Sequence, residues 1–161
     1  MKKILFFVVI SSFATTIHAQ SIPKVKMDDV VKRFSQKNDT IYVVNFWATF
    51  CKPCVAEIPG FLTVTQKYKT QKVKLILVSL DLPSYYPAKI ARFAKDKNFN
   101  AEIMWLNETN ADHFCPMIDA KWSGAIPATI IINAKSGSKK FFEEEMSAEK
   151  FEMELSGMMK N

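Results

Sequence analysis

Two cysteines separated by two residues lie within the segment from Asn45 to Pro59, which reads NFWATFCKPCVAEIP. The residues just before it, Thr40–Val44, are rich in β-branched and aromatic side chains, as strands are. After it, apolar residues recur at helical spacing. We therefore expect a strand that delivers Cys51 and Cys54 to the first turn of a helix.

The spacing of the two cysteines suits reversible disulfide chemistry. Residues three apart in a helix share a face, with Cα atoms about 5 Å apart, a separation that a disulfide tolerates. Free backbone N–H groups at a helix N-terminus and the Lys52 cation both favour a thiolate. We predict that Cys51 is the nucleophile and that Cys54, one turn further in, is the buried resolving thiol. Pro53 fits the first helical turn, where a missing N–H costs nothing.

The same residues resemble a known active site. Phe46-Trp47-Ala48 followed by Cys-x-Pro-Cys is similar to the thioredoxin site, and Cys54-x-x-Glu57-x-Pro59 resembles the exported TlpA/ResA-like branch of that superfamily. The resemblance runs from about Asp39 to about Glu144 and implies an α/β thioredoxin fold, a central mixed β-sheet flanked by helices on both faces. It also implies a thiol–disulfide oxidoreductase of protein substrates. A reductase, for example in cytochrome c maturation, would need a membrane electron donor, and a protein-dithiol oxidase is the alternative.

A second part of the predicted site is Ile126-Pro127, directly before a strongly apolar strand. Gly-x-Ile-Pro-x-Thr looks like the thioredoxin loop that faces the disulfide, which implies a cis peptide; a proline at the first residue of an ordinary strand is the other interpretation. Such a rigid turn would expose the backbone of Ile126 to an extended substrate chain. We predict that substrate contacts come from Ile126, Pro127, Phe50 and Lys52.

If a side chain assists proton transfer to or from Cys54, it must be a titratable neighbour. In thioredoxins a buried aspartate lies on the strand before the motif, but the matching residue here is Asn45, which cannot titrate. Glu57 is three residues beyond Cys54 on the same helical face, and the resemblance also points to it. We predict a catalytic proton-transfer role for Glu57, with a solvated acid near the helix N-terminus as the alternative. Trp47 is predicted to pack beneath the site.

Cys115 and His113 leave a metal-binding alternative open. With Cys51 and Cys54 they would form a Cys₃His set for zinc or copper, although one intervening residue is not a common ligand spacing. Otherwise we predict that Cys115 is a buried apolar side chain or a third redox thiol. We expect no metal and no cofactor other than the Cys51–Cys54 disulfide. A peroxiredoxin would need a threonine or serine and a proline ahead of a lone peroxidatic cysteine, and that arrangement is absent.

The first 19 residues have the pattern of a secretory signal peptide, with a basic start, an apolar run over Ile4–Phe13 and small or polar residues up to Ala19. We predict export to the periplasm or another extracytoplasmic space and one thioredoxin-like domain over residues 20–161. An uncleaved segment would instead anchor the chain to a membrane. Cleavage lowers the net charge from +6 to +4, because Lys2 and Lys3 are removed. So small an excess of scattered cations does not favour nucleic-acid binding.

The remaining elements follow from periodicity and turn residues. They are a helix over Met27–Phe34, a strand over Val73–Leu80, a loop over Asp81–Tyr86, a helix with Pro87 at its first position, a strand over Glu102–Leu106, a mixed helical or irregular Asn107–Ile118, a hairpin turn over Ala134–Ser138, a returning strand over Lys139–Glu144 and a closing helix capped by Ser147.

Overall fold

The computed structural model describes residues 21–160, so the predicted signal peptide lies outside the described residues. Six strands form one sheet: β1 (Lys24–Val25), β2 (Ile41–Trp47), β3 (Val73–Ser79), β4 (Glu102–Leu106), β5 (Ala128–Asn133) and β6 (Lys139–Phe142). Their order is β1-β4-β3-β2-β5-β6. The first four are parallel neighbours, whereas β5 runs antiparallel to β2 and β6 antiparallel to β5.

Within residues 21–160, five α-helices cover this mixed sheet: α1 (Met27–Ser35), α2 (Lys52–Lys67), α3 (Ala88–Asp96), α4 (Ala111–Ile118) and α5 (Ala148–Met159). Side chains of α2, α3 and α5 pack on one face of the sheet, and those of α1 and α4 pack on the other. The predicted thioredoxin architecture is therefore confirmed. None of the helices within residues 21–160 combines the length and apolar character needed to cross a bilayer.

Strand β2 lies near the middle of the sheet and is buried along its whole length. Alternate side chains point to opposite faces of a strand. Val43 and Trp47 accordingly enter the core beneath α2, whereas Val44 and Phe46 enter the core beneath α1 and α4. The Trp47 ring is fully buried and meets the Phe99 ring edge-on, with centroids 5.5 Å apart, so it packs as predicted.

The structure differs from the sequence-based expectations at β1, at Pro87 and at the end of β6, which is Phe142 rather than Glu144. Strand β1 was not predicted, because its two residues acquire strand geometry only by pairing with β4. The segment Asn107–Ile118 is mixed, as expected, with an irregular start followed by α4. Pro87 is the N-cap of α3 rather than its first residue, and the Tyr86–Pro87 peptide is cis. A proline fits either position, because neither requires an intrahelical N–H donor.

Candidate dithiol site

The two cysteines lie where β2 passes into α2. Cys51 is the N-cap of the helix and is joined to Cys54 by a disulfide, with Cα atoms 5.3 Å apart. The backbone N–H of Cys54 donates to Cys51 Sγ at 3.3 Å, so an amide dipole points at the outer sulfur. Cys51 is 8% exposed and Cys54 is fully buried. The predicted arrangement, an outer sulfur at the helix terminus and an inner sulfur beneath it, is confirmed.

The loop before β5 faces this disulfide. The Ile126–Pro127 peptide is cis, as predicted. The carbonyl oxygen of Ile126 lies 3.8 Å from Cys51 Sγ, Ile126 is half-buried and Pro127 is buried. The backbone of Ile126 therefore lies beside the outer sulfur.

Phe50 and Lys52 flank Cys51 in the chain, and both are exposed. The Phe50 side chain has 61% of its surface exposed, which is unusual for a large apolar residue of this protein. Both predicted contact residues thus lie on the surface beside the outer sulfur, where they are accessible to a substrate. Their part in binding stays a prediction.

Glu57 lies on the buried face of α2 with Cys54 and is only 4% exposed. Its Oε1 accepts a hydrogen bond from Asn45 Nδ2 at 2.8 Å, and its Oε2 accepts one from the backbone N–H of Met146 at 2.9 Å. Burial raises the pKa of Glu57 to about 7, and the two hydrogen bonds only partly oppose this effect. The alternative of a solvated surface acid is wrong, and near neutral pH this carboxyl can either donate or accept a proton.

Asn45 connects Glu57 to the strand that follows the cis-proline loop. Its Nδ2 donates to Thr129 Oγ1 at 2.9 Å as well as to Glu57. Among residues 21–160, no hydrogen-bond partner reaches the buried Oδ1 of Asn45. The amide therefore has one unused acceptor close to a carboxyl that titrates near neutrality.

Asp81 supports the site, and the sequence analysis missed it by treating it as a loop residue. Its carboxylate accepts hydrogen bonds from the Thr49 N–H at 3.1 Å, the Thr49 hydroxyl at 2.6 Å and the Ser79 hydroxyl at 2.8 Å. These contacts fix the turn before Cys51 to the end of β3. Its position just after a buried strand was the one available signal.

The residues of the metal-binding alternative are not brought together. Cys115 is buried in the core on the opposite face of the sheet from Cys51 and Cys54, and His113 is exposed. In the described part of the chain, no group of three or more His, Cys, Asp or Glu side chains is placed to hold a metal ion. Burial raises the pKa of Cys115 to about 11, which suits the predicted apolar packing role.

Comparison with known proteins agrees with this geometry. A family model described as the AhpC/TSA family matches residues 15–137. The chain is 31% identical over 90 residues to a thiol-disulfide oxidoreductase ResA from Halalkalibacterium halodurans, covering 56% of this chain and 46% of the relative. It thus spans about half the length of the curated relatives it matches.

Solved structures show the same fold at lower identity. A thioredoxin-related protein from Neisseria meningitidis serogroup B has a TM-score of 0.65 at 21% identity, covering 77% of this chain and 88% of that one. A thiol:disulfide interchange protein of the thioredoxin family from Chlorobium tepidum TLS has a TM-score of 0.62 at 17% identity, covering 80% and 83%. These similarities support the fold described above.

Proposed function

The chain belongs to the AhpC/TSA family of the thioredoxin superfamily, and from this premise we propose that it is a thiol–disulfide oxidoreductase acting on protein substrates. One observation carries the proposal: the Cys51–Cys54 disulfide lies at the N-terminus of α2, with its outer sulfur 3.8 Å from the Ile126 carbonyl in the cis-proline loop. The disulfide itself is the redox group, so exchange needs no other cofactor.

In the reducing direction, the reduced Cys51 thiolate attacks one sulfur of a substrate disulfide. This forms a mixed disulfide and releases the other substrate sulfur as a thiolate. The Cys54 thiolate then attacks Cys51 Sγ, which restores the Cys51–Cys54 disulfide and releases the second substrate thiolate. Two electrons pass to the substrate, and the reverse sequence oxidises a dithiol. The N–H of Cys54 and the helix N-terminus stabilise negative charge on Cys51, which supports its role as the attacking sulfur.

Glu57 is the proposed proton acceptor for Cys54. The inner thiol must lose its proton before it can attack Cys51, and a carboxyl with a pKa of about 7 is partly ionised at neutral pH. Residues three apart on a helix are neighbours, and both side chains lie on the buried face of α2. Water has little access to this buried face, so the Glu57 carboxylate rather than water is the proposed proton acceptor.

We favour the reducing direction over protein-dithiol oxidation. The resemblance to TlpA/ResA-like proteins supports reduction of disulfides outside the cytoplasm, for example in cytochrome c maturation. Curated relatives named thiol-disulfide oxidoreductase ResA are consistent with it. The same proposal includes export through the signal peptide at residues 1–19. It also includes a membrane electron donor, because a reductase in an oxidising space must itself be reduced again after each turnover.

The test compares the wild type with Cys51→Ala and Cys54→Ala in insulin reduction. We expect no turnover from Cys51→Ala, and a mixed disulfide between Cys51 and substrate that accumulates in Cys54→Ala and is detected by mass spectrometry. Insulin reduction by Cys51→Ala at the wild-type rate would refute the assignment. Titration of the wild-type Cys51–Cys54 couple against glutathione decides between substrate reduction and substrate oxidation. A reduction potential of about −270 mV indicates a reductase, and one of about −120 mV indicates an oxidase.

A further inference from the structure

Glu143 follows the last residue of β6 and its carboxylate binds the loop that leads to Ile126. Its Oε1 accepts hydrogen bonds from the backbone N–H groups of Ser123 and Ala125, both at 3.0 Å, and its Oε2 lies 3.2 Å from the Ser123 nitrogen. The Ser123 hydroxyl also donates to Oε1. One side chain thus satisfies three donors of a loop that has no strand or helix of its own.

The same loop is held from the core side by Trp122. The indole Nε1 donates to the Ala125 carbonyl oxygen at 2.9 Å, and the ring packs against Phe46 of β2 with centroids 4.5 Å apart. Between the two anchors, Gly124 has a φ of +94°, a conformation that favours glycine. Trp122 and Glu143 therefore fix the path of the chain on either side of Gly124.

Resting on the proposed function, we infer that Glu143 is a positioning residue for protein substrates. The backbone that an incoming chain would meet belongs to Ile126, one residue beyond the clamped Ala125. Pairing of two extended chains requires that their donors and acceptors lie in register. If the backbone at Ile126 were free to move, it would therefore bind a substrate chain more weakly. Charge-assisted hydrogen bonds are stronger than neutral ones, which makes a carboxylate effective in this role.

This role separates substrate binding from dithiol chemistry. Glu143 contacts Ser123 and Ala125, whereas the two sulfurs are joined to each other in the first turn of α2. The part of the loop beside the sulfurs is the Ile126 carbonyl, 3.8 Å from Cys51 Sγ. A small disulfide needs only the exposed edge of Cys51, but a protein disulfide must also pair with the Ile126 backbone. Loss of Glu143 should therefore impair turnover of protein disulfides selectively.

The experiment uses full-length protein with Glu143→Ala, Glu143→Gln and a control, Glu144→Ala. Glu144 is the next residue, is exposed and pairs with Lys150, so the control removes the same charge from the same segment. Insulin serves as the protein disulfide and 5,5′-dithiobis(2-nitrobenzoate) as the small one. Each variant is also equilibrated with glutathione to measure its reduction potential.

We expect Glu143→Ala to raise KM for insulin about tenfold, because each bound substrate must then order the loop that Glu143 holds in the wild type, with kcat changed less than about twofold. Its small-disulfide rate and potential should match the wild type. Glu143→Gln keeps an acceptor but loses the charge, so its KM should fall between the two. Glu144→Ala should behave as wild type.

Two results overturn the inference while leaving the proposed function intact: a KM of Glu143→Ala equal to that of Glu144→Ala, or an equal fall in the rates with both disulfides. Inactivity of the wild-type protein toward both substrates would instead refute the proposed function and this role with it.

Discussion

The ionisation of Glu57 predicts a specific pH dependence of stability. Its pKa is about 7 in the folded protein, against an ordinary value of 4.5. Between these values the folded protein keeps a proton that the unfolded chain has lost, so stability falls as pH rises. The stabilising contribution is complete below about pH 4.5 and is lost as pH passes through about 7. The difference corresponds to about 3 kcal/mol of unfolding free energy.

Glu57→Gln isolates this contribution, because glutamine has nearly the same shape and cannot ionise. Its Oε1 can accept from the Met146 N–H. Its NH₂ group would meet the Asn45 NH₂ group, but rotation of the Asn45 amide by 180° presents the oxygen that has no partner among residues 21–160. Thr129 can then donate its hydroxyl hydrogen to that oxygen. We expect a folded variant whose stability lacks the wild-type fall between pH 4.5 and pH 8.

The assay is urea unfolding of the oxidised protein, followed by tryptophan fluorescence from pH 4 to pH 8.5. Relative to the wild type, Glu57→Gln should gain about 3 kcal/mol across this range. Glu144→Gln, at an exposed glutamate, should show no such change. A difference between wild type and Glu57→Gln that stays constant within about 0.5 kcal/mol would refute the titration of Glu57 near neutrality.

Two further perturbations test the surroundings of the dithiol. Asp81→Ala leaves the Thr49 N–H and two hydroxyl groups without their acceptor. We therefore expect the free energy of unfolding, measured with urea, to fall by about 1–3 kcal/mol. An unchanged unfolding midpoint would show that the Thr49 turn does not depend on Asp81. Cys115 in the oxidised wild type should react with iodoacetamide at pH 8 about a hundredfold more slowly than an ordinary thiol, because its pKa is raised from 9.0 to about 11. Mass spectrometry of samples taken over time measures the labelling rate. Labelling at the rate of an ordinary thiol would contradict the prediction.

Sequence alone predicted those parts of the fold and site that depend on local pattern. Strands β2 and β3 are nearly continuous apolar runs, and α2 begins within a motif that also carries a family resemblance. The resemblance, rather than composition, supplied the cis peptide before Pro127. The burial of Glu57 is harder to predict from the sequence, since an acid in the second turn of a helix is commonly solvated. Only tertiary packing shows that Met146 and Asn45 enclose it.

The residues that sequence reasoning missed act through contacts between distant parts of the chain. Asp81 binds Thr49 across 32 positions, and Glu143 binds Ser123 across 20. Both acids follow a strand, where charged residues are commonly solvated, so their position alone is only a weak local signal. Strand β1 was missed for a similar reason, because its partner β4 lies about 80 residues away.

The positions of Asp81 and Glu143 have a common physical cause. β5 runs antiparallel to β2, and β6 antiparallel to β5, so the end of β6 lies at the same end of the sheet as the ends of β2 and β3. Both site loops leave the sheet at this end, and their backbone N–H groups have no ladder partner there. Backbone donors outside a ladder bind side chains or water instead, and one carboxylate can accept several hydrogen bonds. A carboxylate from a neighbouring strand end therefore fixes each loop without covering Cys51.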